Sequence, residues 1–258
     1  MSATLTLRQL AAVTGFELRR RIIGWKFPAS IIVCLVIFYF AGTAGDEDDV
    51  YKLCKPMMAS LPMVVAMSAV ISASDSISEE FERNTGFALL SKPMYRETVF
   101  AGKYIACLIC SFAIATLYCV LVAARCSEAG FEMPDTAVDT IPLAVLYAMA
   151  ATGICLLFSA LSPKSGIAML AAFAVLIIIP LFVGNMDFET EPWYSLAYES
   201  EIFGHWTAGE QTVFHIDDAG NLFTYQYFPD LSISAAVMSA YALFSALFAA
   251  FAFRCRRI

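Results

Sequence analysis

Six apolar runs, each close to twenty residues long, take up most of this 258-residue chain: Phe27 to Gly45, Pro56 to Ser74, Tyr104 to Ala124, Pro142 to Leu161, Gly166 to Gly184 and Leu231 to Phe253. A helix rising about 1.5 Å per residue needs roughly 20 residues to cross a hydrocarbon core about 30 Å thick. Any open backbone would leave N–H and C=O groups without partners in lipid, so a helix is required. The pattern predicts an all-α polytopic membrane protein: six transmembrane helices, an N-terminal amphipathic interfacial helix and a small extracytoplasmic insertion. Composition agrees, with 60% hydrophobic and 15% charged residues, where a soluble domain carries about 25% charged residues. The net charge of -7 argues against a nucleic-acid partner, because phosphate binding needs clustered Lys and Arg.

The basic residues orient the bundle. With a cytoplasmic N-terminus the inward segments hold Arg8, Arg19, Arg20, Arg21, Lys26, Arg83, Lys92, Arg96, Lys103, Lys164, Arg254, Arg256 and Arg257, and the outward ones only Lys52, Lys55 and Arg125. The positive-inside rule then places both termini in the cytoplasm of a cell-membrane protein, and an even number of spans demands that they share a side. Residues 1–26 are expected to form a cytoplasmic elbow helix and residues 27–258 the six-helix domain. Within that domain 75–103 is a cytoplasmic segment and 185–230 an extracytoplasmic one.

From Leu5 to Trp25, Leu7, Ala11, Thr14, Leu18, Ile22 and Trp25 recur at helical steps, with Arg8, Gln9, Arg19 and Arg20 opposite. A basic amphipathic helix of this kind suits the bilayer surface, with Arg8, Leu18, Arg19, Arg20 and Trp25 as the membrane-interface residues; the alternative is a flanking helix packed on protein. Small residues make a stripe on the fourth run (Ala144, Ala148, Thr152, Cys155, Ser159) and on the sixth (Ala235, Ser239, Ala242, Ala246, Ala249), as close helix packing in lipid favours. Tyr241, Phe244, Phe248 and Phe251 form a neighbouring aromatic stripe expected to face lipid. No Lys, Arg, Asp, Glu or His lies deep in any run. A carrier driven by an ion gradient usually keeps such groups at mid-membrane, so this class is disfavoured.

The segment from Asp75 to Lys103 is too long and too charged for a simple connection, since most loops run about four to six residues. Ser76 and Glu79 fit a capping box, Gly86 breaks the helix that would follow, and Pro93 prevents a continuous helix to Lys103. The series Glu80, Glu82, Arg83, Thr85, Gly86, Leu89, Leu90, Ser91, Pro93, Arg96 and Lys103 resembles the cytoplasmic signature of ABC transporter permeases of the second type: an E-x-E-x-x-T-G run, then L-L-S-x-P-x-x-R, then G-K at the start of the third span. Asn84 stands where many relatives have glycine. The likeness extends along the chain, through the basic N-terminal helix, the tight Ser162-Pro163-Lys164-Ser165 hairpin and the large segment before the last span.

The resemblance implies that Glu80, Glu82, Arg83, Thr85, Gly86, Leu89, Leu90, Pro93 and Arg96 couple the chain to a separate ATP-binding subunit. It implies a second permease copy as well, in a homo- or heterodimer. No G-x-x-x-x-G-K-[ST] phosphate loop occurs in the chain. ATP and Mg are therefore expected in the partner, with no cofactor or catalytic group here. The function expected is the permease subunit of an ATP-driven exporter. The alternatives are a membrane-embedded enzyme or a non-ATP-driven channel or scaffold.

Outside, Glu189 to His205 can hold a short helix and Thr212 to Phe228 reads as a hairpin. His205 and His215 match no strong metal-ligand spacing, and no metal site is expected. Cys107 and Cys110, with Met57, Met58, Met63 and Met67, read as apolar packing, the alternative being a site for a soft metal such as copper. Cys54 and Cys126 lie at the outer ends of adjacent spans, where a disulfide is possible.

Overall fold

The computed structural model describes residues 3–43, 45, 50–82, 96–131, 135–183, 193–205, 213–216, 222–225 and 229–255. Six helices there are long and apolar enough to cross a membrane: Lys26–Thr43, Lys52–Glu82, Arg96–Glu128, Thr140–Leu161, Ser165–Phe182 and Leu231–Cys255, called spans 1 to 6 below. Each contains one of the six apolar runs almost whole. Span 3 continues beyond its run in both directions, because the flanking residues from Arg96 and up to Glu128 contain neither proline nor a helix-breaking turn.

An N-terminal helix, Ala3–Ile23, precedes span 1. It stops where Gly24 turns its N–H back to the Arg20 carbonyl at 3.1 Å. A β-carbon on residue 24 would sit 2.8 Å from that carbonyl oxygen, so the bend into span 1 needs glycine.

The membrane-crossing part of the second stretch, called span 2 from here on, is two helices, Val50–Ala59 and Leu61–Ala73, meeting at Ser60. Pro62 has no N–H to give to the preceding turn, and the ladder breaks there. The Met57 carbonyl accepts the Ser60 N–H at 3.2 Å. It also accepts the buried Tyr118 hydroxyl of span 3 at 2.7 Å. Span 5 meets its own proline differently. Ala174–Ile178 widens into a π turn, in which the Ile179 N–H donates to the Ala174 carbonyl five residues back, directly before Pro180. One wide turn absorbs the missing donor.

Spans 2 and 4 form the centre: 72% and 61% of their apolar windows are buried, against 11% of span 1. All five members of the span 4 small-residue stripe are buried, and span 6 lies along this helix through the most extensive helix pairing among the described residues. The approach is closest at Gly153, where an added β-carbon would lie 2.1 Å from the Ser245 hydroxyl and 3.0 Å from its Cβ. On span 6 the buried face is Ser234, Met238, Ala242, Ser245, Ala249 and Phe253. The expected stripe is therefore rotated, and Ser239 is exposed. The reason is Ser245 itself, which must face Gly153. Tyr241, Phe244, Phe248 and Phe251 are exposed as expected of a lipid-facing stripe.

At the end where span 2 begins, two short helices, Leu196–Ser200 and Ile202–His205, pack onto the bundle. Phe203 is fully buried edge-on to Tyr147, and Gly204 lies so close to Ala59 that a β-carbon would meet its methyl at 2.8 Å. Ser234 of span 6 donates to the buried carboxylate of Glu199. Strands β1 (Val213–Ile216) and β2 (Leu222–Tyr225) pair antiparallel, Val213 opposite Tyr225, which is the hairpin the sequence suggests. Cys54 and Cys126 are joined at this same end, their Cα atoms 7.0 Å apart.

Candidate functional site

After Ala73 the chain leaves span 2 through a turn and forms the five-residue helix Ser78–Glu82. The expected capping box does not form. The Ser76 N–H is taken by the Ala73 carbonyl and the Glu79 N–H by the Asp75 carbonyl. The side chains that would have closed the box go to other elements, as described below.

This short helix is a foot fixed to four parts of the molecule. Toward span 4, the buried Ser159 hydroxyl oxygen accepts the N–H groups of Ile77 at 2.9 Å and Ser78 at 3.1 Å. Toward span 5, Glu82 accepts both the N–H and the hydroxyl of Ser165, at 3.0 and 2.6 Å. The N-cap of span 5 is Lys164, which makes no side-chain cap bond. Glu82 supplies from another element the acceptor that a helix N-terminus needs. Toward span 6, Phe81 meets Phe253 edge-on, and Phe253 also lies against Phe100 of span 3.

The fourth attachment is electrostatic and buried. Lys103, only 1% exposed on span 3, has an acceptor for each of its three N–H donors: Glu80 at 2.6 Å, Glu17 of the N-terminal helix at 3.0 Å and the Ser76 carbonyl at 3.1 Å. Glu17 also lies 3.6 Å from Arg21, one turn on, and Arg21 donates to the Ser76 hydroxyl at 2.7 Å. Burial alone would push the Glu17 carboxyl up, but Lys103 and Arg21 more than reverse this and hold it below the ordinary carboxylate value. A second, half-exposed group repeats the theme. Lys26 donates to Asp75 at 2.8 Å and lies 3.5 Å from Glu79, while Arg20 lies 3.4 Å from the same Glu79 oxygen. Two cations face two carboxylates in each group, so neither leaves a net buried charge, as low-dielectric surroundings require.

Of the residues singled out in the sequence, Glu80 is buried and turned onto Lys103, Glu82 is exposed on Ser165, and Arg96 donates to the Arg254 carbonyl at the last turn of span 6 at 3.2 Å. Arg83, Thr85, Gly86, Leu89, Leu90 and Pro93 lie outside the described residues. On the N-terminal helix Arg8, Arg19 and Arg20 are exposed and Leu18 is half-buried; Leu7 and Ile22 are exposed on the side next to Leu18, and Trp25, in the bend past the helix, is exposed. The packed side carries Val13, Glu17 and Arg21 against span 3.

Sequence reasoning missed Glu17 and the central place of Lys103. Two signals were available. Glu17 is one turn ahead of Arg21 in a helix otherwise poor in acid, and Gly102 stands directly before Lys103. A β-carbon at residue 102 would lie 2.7 Å from Val13 Cγ1, so glycine there is what lets the N-terminal helix come within reach of the ammonium.

Among the described residues no group of three or more His, Cys, Asp or Glu side chains is placed to hold a metal. A family model described as an ABC-2 family transporter protein matches residues 43–253. No curated protein matches the chain.

Proposed function

The chain belongs to the ABC-2 transporter family, a group of multi-pass membrane components, and from that premise we propose that it is the permease subunit of an ATP-driven exporter. Force from a separate ATP-binding subunit enters through the segment 75–103. The observation that carries this reading is the foot Ser78–Glu82, which is continuous with span 2 and bonded to spans 3, 4 and 5 and to the N-terminal helix. A push on such a foot moves several spans together. A plain connecting loop would have no reason to be fixed on so many sides.

In this reading Glu82, Arg83, Thr85, Gly86, Leu89, Leu90, Pro93 and Arg96 are the residues the ATP-binding subunit grips, and Glu80 holds the foot to the bundle. ATP and Mg are bound by the partner, and the chain performs no catalysis. Both termini are cytoplasmic, two permease copies enclose the conduit, and exposed Leu7 and Ile22, with half-buried Leu18 beside them, rest on the membrane surface with Arg8, Arg19 and Arg20 toward head groups. With no charge at mid-span, the cargo suits an apolar or amphipathic compound.

The test is co-expression with an ATP-binding subunit and recovery of both on a tag carried by this chain. We expect recovery with the wild type and its loss with Glu82→Arg or deletion of residues 84–90, while the permease itself stays folded. Recovery unchanged by both alterations would overturn the proposal. Turnover of a lipid or peptide by the chain alone would favour the enzyme reading instead.

A further inference from the structure

One ammonium holds three elements at once. Lys103 of span 3 reaches the N-terminal helix through Glu17, the exit of span 2 through the Ser76 carbonyl and the foot through Glu80, all within 3.1 Å and almost out of contact with solvent. We propose that Lys103 is a positioning residue that makes the N-terminal helix a moving part of the coupling machinery, so that it travels with the foot and is not a passive rest on the membrane. The proposal deepens the reading above and rests on it for what the joint transmits.

Three observations carry it. The N-terminal helix and the foot are 63 positions apart at Glu17 and Glu80, yet their carboxylates share one cation. The contact is supported twice more, by Arg20 on Glu79 of the foot and by Arg21 on the hydroxyl of Ser76 in the turn before it, so the helix grips the foot and its approach together. Finally, Gly102 gives the helix backbone-close seating beside Val13, which leaves no slack for the pair to slide. A buried charge group with every carboxylate matched to a cation resists separation strongly, because parting it exposes uncompensated charge to a low-dielectric interior. The foot therefore cannot leave the N-terminal helix behind without breaking several charge-assisted bonds together.

The coupling is reciprocal by thermodynamic necessity, and that gives a test independent of any partner. Amide hydrogen exchange is measured on the purified full chain in lipid nanodiscs, for the wild type, Glu80→Gln and Glu17→Gln. Loosening the foot with Glu80→Gln should speed exchange in residues 13–21 by about tenfold or more, and Glu17→Gln should do the same in residues 77–82, the size expected for losing one charge-assisted hydrogen bond. Exchange in residues 144–156 of span 4 should stay as in the wild type. The proposal is overturned if either variant leaves the other element as protected as before, or if span 4 loosens equally, which would mean a general loss of stability. Capture of an ATP-binding subunit is a separate readout. Its failure with the reciprocal exchange intact would sink the coupling reading and leave the joint as a static brace.

Discussion

Lys103 and Glu80 close a 2.6 Å ion pair between the start of span 3 and the foot beyond span 2, and both side chains are almost fully removed from solvent. The pair stands in an interior that also contains Glu17, so its cation answers two carboxylates. The consequences differ sharply according to which charge is removed.

Lys103→Met should be among the most damaging single substitutions in the chain. It leaves Glu17 and Glu80 facing each other's charge without the cation between them, a change that costs about 3–5 kcal/mol when one partner of a buried pair is deleted. The double variant Lys103→Met/Glu80→Gln, which leaves Arg21 balanced by Glu17, should recover much of that loss. Thermal unfolding in detergent compares the two, and a double variant no more stable than Lys103→Met would refute the electrostatic account.

Glu17 predicts a pH dependence. Its carboxyl titrates below the ordinary value because of Lys103 and Arg21, against the opposing effect of burial. A group depressed in the folded state contributes stability above its unfolded pKa, and that contribution fades as pH falls through the folded value. Wild-type protein should thus lose stability on acidification through and below the ordinary carboxylate range, and Glu17→Gln should lose less over the same interval. Melting temperatures across that range, wild type against variant, provide the check.

Ser159→Ala removes one acceptor that serves two backbone donors, at Ile77 and Ser78. Leaving buried N–H groups without a partner costs about 1–3 kcal/mol each. The foot should then exchange amide protons faster while span 4 itself stays protected, and a foot as slow as in the wild type would count against the assignment.

Gly153→Ala tests the closest helix approach. Its new methyl would collide with Ser245, and overpacking of this kind costs about 1–3 kcal/mol. Ser245→Gly on the same background should restore most of the loss, whereas a second change at exposed Ser239 should not.

The paired cysteines are checked chemically. The chain has eight cysteines, of which six are free and two joined as Cys54 and Cys126. Alkylation after denaturation without reductant should modify six, and with reductant all eight; eight in both cases would remove the link.

What was legible in the sequence was whatever a single segment decides alone. Hydropathy over twenty residues fixes a span, so all six were readable, and the alternation around residues 217–221 gave the strand pair. What needed two distant segments was not. The Ser76 and Glu79 spacing favours a local cap, yet Arg21, 55 positions earlier, takes the serine hydroxyl, and Lys26 and Arg20 take the carboxylate. The π turn in Ala174–Ile178 hides in an unbroken apolar run, with only Pro180 as a sign. The span 6 face was misplaced by part of a turn because nothing local says that Ser245 must meet Gly153.

Spans 2 and 3 are fastened to each other near both extremities, by Lys103 on the foot at one and by Cys54 on Cys126 at the other. Two rods pinned at both tips can neither slip lengthwise nor splay apart. They can only swing together, as one plank. Any opening of this molecule must then take place along the seams where that plank meets its neighbours.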